Sequence, residues 1–319
     1  MSSEKVAYKL SYLRESTFGQ NTINANTQTY LCGIIEKEQV LPSPVMEYTP
    51  FYSHNSRDFS EVSKGKASFN GQIIYILQDG VWFYYALGDE SFTDKGDYNE
   101  HVLSGIDSGD LPSFTLHYEA SDRSGNTLAK DFFGCKISKL TMTGILGLPL
   151  ACQVDIQAID MQDGNEITSN YPKLPDTSHE NLFHFRRATF TWNSTQYSIT
   201  MFTLSIDNTI TPLWVHRSSN QELPKYLLEG NRVIGFSYSL YLKDSTILDE
   251  ILTATARTLE IKFERDTHDF INIKLTNSYV KSAPLKIPTV NTANEYLVIG
   301  LAKDCEITVE DKVDEYDTI

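Results

Sequence analysis

The chain has 319 residues, enough to bury a large core and to divide into one or two domains. Its 42 acidic against 27 basic side chains leave a formal charge of −15, which argues against gripping nucleic acid by neutralising phosphates. With 18 Tyr and 16 Phe beside many Thr and Ile, the composition favours strands over helices.

In chain order, residues 6–13 and 28–35 read as strands. Residues 41–66 hold Pro42, Pro44 and Pro50 and keep no sustained period, which predicts a long loop. Tyr48, Phe51, Tyr52 and Phe59 within it call for something to bury against. Residues 66–77 form a strong strand, with Phe69, Gly71, Ile73, Tyr75 and Leu77 on one face. Residues 81–87 (VWFYYAL) read as a short helix, with Asp79 to cap it and Gly88 to end it. An acidic loop is expected over 89–110. Residues 111–160 then read as a three-strand meander, interrupted by Ser124-Gly125-Asn126 and by Gly144, Gly147 and Pro149.

Residues 165–180 are polar, carry Pro172 and Pro175, and make the best linker. Beyond them the grammar restarts. Residues 188–192 and 198–206 alternate as strands, and 209–231 form another long loop. A strand at 232–242 leads into a short helix at 246–256 behind Asp244. Strands around 259–263, 270–275 and 296–301 complete a second meander before an acidic tail, 304–317. The order is therefore the same twice: two strands, a long loop, a strand, a helix behind an Asp, then a meander. Low identity between the halves makes this a repetition of pattern.

Chemistry is absent from this pattern. Cys32, Cys135, Cys152 and Cys305 are scattered and read as small buried apolar residues of a reducing compartment. His179-Glu180 and His184 miss the spacing of a helical zinc motif by one residue. Asp107 and Asp110 lie in a Gly/Ser-rich acidic stretch, which reads as solvated surface rather than a paired-carboxylate site. No nucleophile elbow, phosphate loop or dinucleotide fingerprint occurs. No enzyme activity, cofactor or metal site is expected. The first residues, MSSEKVAYKLSYLRES, lack the apolar centre of a signal peptide, and no run reaches the about 18 apolar residues of a membrane span. The expectation is a soluble protein made in the cytoplasm.

Five words in order carry a resemblance. They are Arg14-Glu15-Ser16-Thr17-Phe18-Gly19, Ser56-Arg57, Leu111-Pro112-Ser113-Phe114-Thr115-Leu116, Phe133-Gly134-Cys135-Lys136-Ile137 and Leu204-Ser205-Ile206-Asp207-Asn208. Across nearly its whole length the chain resembles the tail tube (major tail) proteins of long-tailed bacterial and archaeal viruses. The resemblance implies an all-β fold with short flanking helices, built as two tandem tail-tube-like β-sandwich or barrel domains, 1–170 and 171–319. It further implies a virion location and rings stacked into a hollow tube through which DNA leaves the capsid. Tape-measure, tail terminator and baseplate proteins would be its partners.

Two domains per chain suggest homo-trimeric rings with pseudo-sixfold symmetry, a homo-hexamer being the alternative. The two long loops are expected to make the inter-subunit or inter-ring contacts. Pro42, Tyr48, Phe51, Tyr52, Arg57, Trp214, Tyr226 and Leu227 are the candidate contact residues, because aromatics and Arg give the most interface energy. An acidic lumen would let DNA pass without binding. The competing reading is a non-enzymatic, two-domain β-sandwich binding or baseplate protein of a virion.

Overall fold

A computed structural model of the chain describes residues 7–35, 39–54, 57–107, 109–122, 124, 126–168, 170–175, 182–216, 222–241, 251–284 and 295–318. The first half contains β1 (Ala7–Arg14), β2 (Tyr30–Leu31), β3 (Ile34–Ile35), β4 (Val40–Tyr52), β5 (Phe59–Ile76), helix α1 (Val81–Leu87), β6 (Gly88–Asp94) and β7 (Asn99–Gly105). There follow β8 (Phe114–Ser121), β9 (Thr127–Ile145), β10 (Ala151–Ala158) and β11 (Asp160–Asp163). The second half contains β12 (Ala188–Trp192), β13 (Thr195–Tyr197), β14 (Ile199–Asp207), β15 (Thr211–Leu213), β16 (Tyr226–Leu228), β17 (Val233–Tyr241), β18 (Arg257–Asp266), β19 (Asp269–Ser282) and β20 (Glu295–Asp311).

The fold is all-β, as expected. Eighteen strands join in one antiparallel sheet, and β15 and β16 form a separate pair. Among the described residues, the sheet does not close into a barrel. In the first half the neighbour order is β1–β8–β9–β10–β5, with β3 and β4 on the outer side of β5. In the second half it is β12–β18–β19–β20–β17, with β14 on the outer side of β17. The halves meet edge to edge where β9 pairs with β14, from Ile145↔Met201 to Lys139↔Asp207. A second seam pairs β7 with the end of β20.

The sheet's inner face is built by strict alternation. In β10, Cys152, Val154, Ile156 and Ala158 are buried while the residues between them are half-exposed. Helix α1 plugs this core. All seven of its residues are buried, as an all-round apolar helix must be. Trp82 packs 4.9 Å from the Tyr12 ring and 5.4 Å from Phe114. Gly80 is the N-cap residue, while the Asp79 carboxylate accepts the Val81 N–H at 3.2 Å. Gly88 ends the helix at φ +96, a conformation that glycine adopts without strain.

Four expectations are corrected. Residues 41–66 are not a loop: β4 and β5 run through them as one long hairpin. Its prolines are tolerated because β4 pairs only with β5 among the described residues, and an edge strand can lack amide hydrogens on one side. Residues 89–110 are largely the hairpin β6–β7, whose exposed acids hid its period. The acidic tail is not free either. It is the end of β20 and a docked turn, with Val313 and Tyr316 buried. The linker is pinned to the first half, where Leu31 N–H donates to Lys173 O and Thr168 N–H to Ala25 O. Of the expected helix at 246–256, residues 251–256 are described: 251–253 are helical and 254–256 are a turn and irregular chain, so the helix ends earlier than expected; Asp244 lies outside the described residues, as do His179 and Glu180.

Candidate assembly surface

Among the described residues, the far end of the β4–β5 hairpin gathers the exposed apolar side chains of Tyr48, Phe51, Tyr52, Phe59 and Val62. Residues 47–52 and 59–64 are exposed on both strand faces, so this part stands clear of the body as a two-stranded arm. Its ladder runs Tyr48↔Lys64, Pro50↔Val62, Phe51↔Glu61 and Tyr52↔Phe59. Tyr48, Phe51, Tyr52 and Phe59 are each more than half exposed. A free hairpin is marginally stable in water, and a patch of this kind marks a contact surface.

The other predicted contact residues lie apart. Arg57 is exposed near the arm's tip, whereas Pro42 is buried at its base against Gly71. Trp214 braces the arm's root: its indole N–H lies 3.1 Å from Ala67 O and from Glu222 O, and Lys66 sits over its ring. Tyr226 is exposed at 42%, while Leu227 is buried against Leu111 and Ile210 of its own chain. Sequence reasoning brought out the arm's aromatics but missed Val45 and Val62, which are also exposed. Their alternation with prolines and charges concealed them.

Four of the five motif words meet at polar joints inside the fold. The buried Glu15 carboxylate accepts four hydrogen bonds: Gly19 N–H at 2.8 Å, Ser113 O–H at 2.8 Å, Thr115 O–H at 2.9 Å and Gly134 N–H at 2.7 Å. One side chain thus ties three of the words together. Gly134 sits in β9 at φ +59 with Ile159 packed where a Cβ would be, so only glycine fits. The fourth word is tied in through Asn208, whose amide donates to Ala86 O at 2.9 Å and Ile137 O at 3.1 Å. Arg232 donates to the side-chain Oδ1 of Asn208 and to Leu87 O. A family model described as phage tail tube protein matches residues 8–313. The chain belongs to the phage tail tube protein family.

Membership gives the chain a structural role in the virion tail, in a family whose members assemble with other tail proteins into a tube. No curated protein matches it significantly. Among the described residues, no helix is long and apolar enough to cross a membrane. The four cysteines are free and buried, and burial pushes the thiols of Cys152 and Cys305 up to about 12. The tail tube fold here also holds two buried histidine–carboxylate clusters that its sequence did not announce. His101 lies between Glu90 (2.6 Å) and Asp311 (3.2 Å), across the seam of β7 with β20, and stacks on Tyr316 at 3.9 Å. His117 lies between Asp131 (2.5 Å) and Glu119 (3.1 Å).

Both ring nitrogens of each histidine face a carboxylate oxygen, which suits a ring carrying two protons. For His101, burial acts against the charge and is the largest single influence. Hydrogen bonds to Asp311 and Glu90, with their charges, together outweigh it and push the pKa up to about 9. His117 is raised for the same reasons through Asp131 and Glu119. A raised folded-state pKa contributes stability that is complete below the unfolded value of about 6.5 and lost as pH climbs through about 9. For His101 alone that gap corresponds to about 3 kcal/mol. Urea unfolding is therefore expected to find the protein less stable at pH 9.5 than at pH 6. The drop should shrink in His101→Gln; an unchanged pH profile in that variant would remove His101 from the account.

Proposed function

We propose that this chain is the repeating subunit of a viral tail tube, forming rings of three chains that stack into a conduit for genome delivery. The observation that carries this reading is the pair of matching strand orders. Each half offers the same succession of strands, and the halves already join edge to edge through β9 and β14. We read the halves as an internal repeat, units 1–170 and 171–319, so three chains would supply six similar units. Closing the sheet across chains would remove its exposed edges. The arm, with Tyr48, Phe51, Tyr52 and Arg57, is suited to reach a neighbouring ring.

The sheet face turned from the core would front the bore. It carries Thr141, Thr143, Gln153, Thr203, Ser205 and Ser237, with Asp155 and Asp207 offset by Lys139 and Lys303, and between them the exposed apolar Ile145, Val233, Ile299 and Leu301. Gln72 and Gln153 both donate to the Asp155 carboxylate. Such a wall mixes hydroxyls, amides and aliphatic side chains and is close to charge balance, so phosphates meet no excess of cations. The overall −15 adds a repulsive field. Tape-measure, terminator and baseplate proteins would occupy the lumen and the two ends.

Electron microscopy of the purified protein, alone and seeded with tail tips, tests the proposal. Rings and tubes are expected. Particles that stay dispersed even when seeded would favour the binding-module reading instead.

A further inference from the structure

The internal seam between β9 and β14 is a template for a seam between chains. Two strand ladders can be laid over each other by a shared irregularity. In β9–β10 the register shifts so that Lys139 pairs Asp155 and Ile137 pairs Ile156, leaving Ser138 as a bulge. In β19–β20 it shifts in the same way: Ser282 pairs Ile299, Val280 pairs Gly300, and Lys281 is the bulge. Bulges are specific features of a ladder, and two at matching places fix the correspondence.

The next strand agrees with it. Ile156 pairs Gly71 of β5, as Gly300 pairs Phe236 of β17. Counting along, Val45 pairs Ser68 on the outer side of β5 just as Asp207 pairs Val233 on the outer side of β17. Val45 of β4 is thus the counterpart of Asp207, and Ser282 of β19 the counterpart of Lys139. In the internal seam, Asp207 and Lys139 lie directly opposite each other.

The internal seam runs from Lys139 to Ile145, so its counterpart starts at Ser282 and continues into residues 283 and 284; neither this edge nor the outer edge of β4 has a strand partner among the described residues. β18 stops pairing at Ser278, which leaves the outer edge of 279–282 open, and β4 pairs only with β5. Val45 is exposed at 61%, and Tyr279, just ahead of the counterpart stretch, at 43%. We propose that β19 of one chain pairs antiparallel with β4 of a second copy, in the register that sets Ser282 opposite Val45. The occupant is a second copy because the chain already makes this seam once with its own second half.

Pro44 and Pro284 would both fall in this ladder, and neither has an amide hydrogen. The seam between chains is therefore poorer in hydrogen bonds than β9–β14, and prolines on an open edge discourage indiscriminate pairing. A chain that must remain soluble until its tube is initiated would be served by such an edge.

The inference rests on the tube reading, and a disulfide test separates the two. Val45→Cys and Ser282→Cys are introduced together; directly opposed strand residues fall within disulfide range, and the four native cysteines are buried. Oxidation of assembled tubes is expected to link the chains into closed covalent rings. Mixing the two single variants should give linked dimers and nothing larger. Tubes that form normally but yield no such bond would overturn the seam and leave the tube reading standing. A chain that forms no tube under any condition would overturn the tube reading, and the seam with it.

Discussion

Replacing residues 50–62 by Asn-Gly is expected to leave a folded chain that no longer builds tubes. Thr49 and Ser63 already face each other across the hairpin, so a two-residue turn can close it there. The removed segment has no described residue in the core, and Trp214 continues to brace the root through Ala67. Its loss should change stability by no more than about 1 kcal/mol, in the range of surface changes. Its contribution to assembly should be far larger. Phe51, Tyr52 and Phe59 are the large rings presented together, and hot spots in interfaces are concentrated in such residues. Thermal unfolding should match that of the unaltered chain while microscopy finds no stacked rings. Normal tubes from the shortened chain would remove the arm from assembly.

Glu15→Ala is expected to produce the largest loss of stability of any single polar substitution considered. It strips the acceptor from two backbone amides and two hydroxyls at once. The hydroxyls can rotate toward other partners, but the Gly19 and Gly134 amides are fixed by the backbone. Leaving those two unsatisfied costs about 2–5 kcal/mol. Glu15→Gln should recover little, because its amide group places donors against donors. Urea midpoints measure this directly, and an alanine variant within about 0.5 kcal/mol of the parent would show the joint to be unimportant.

These two sites differ in how far the sequence announced them. Strands with one buried face, such as β10 and β14, and the wholly apolar helix α1 follow from periodicity alone, because one face meets the core and the other does not. The arm did not, since both its faces meet solvent and no alternation is imposed on them. Prolines then made β4 resemble a loop. The acidic β6–β7 hairpin failed for the same reason: its exposed carboxylates carry no period. The seam of β7 with β20 joins residues far apart in the chain, 210 positions in the case of His101 with Asp311, and no local signal foretells it. The words around Glu15 and Asn208 could be noticed as marks of a family. That a single carboxylate and a single amide tie them together is a fact of three dimensions.

The count of chains in one ring tests the central claim most directly. Averaged cross-sections of assembled tubes, imaged by cryo-electron microscopy, should resolve three chains per ring presenting six similar lobes, with a sheet continuous from each chain to the next. Six complete chains per ring would contradict the account.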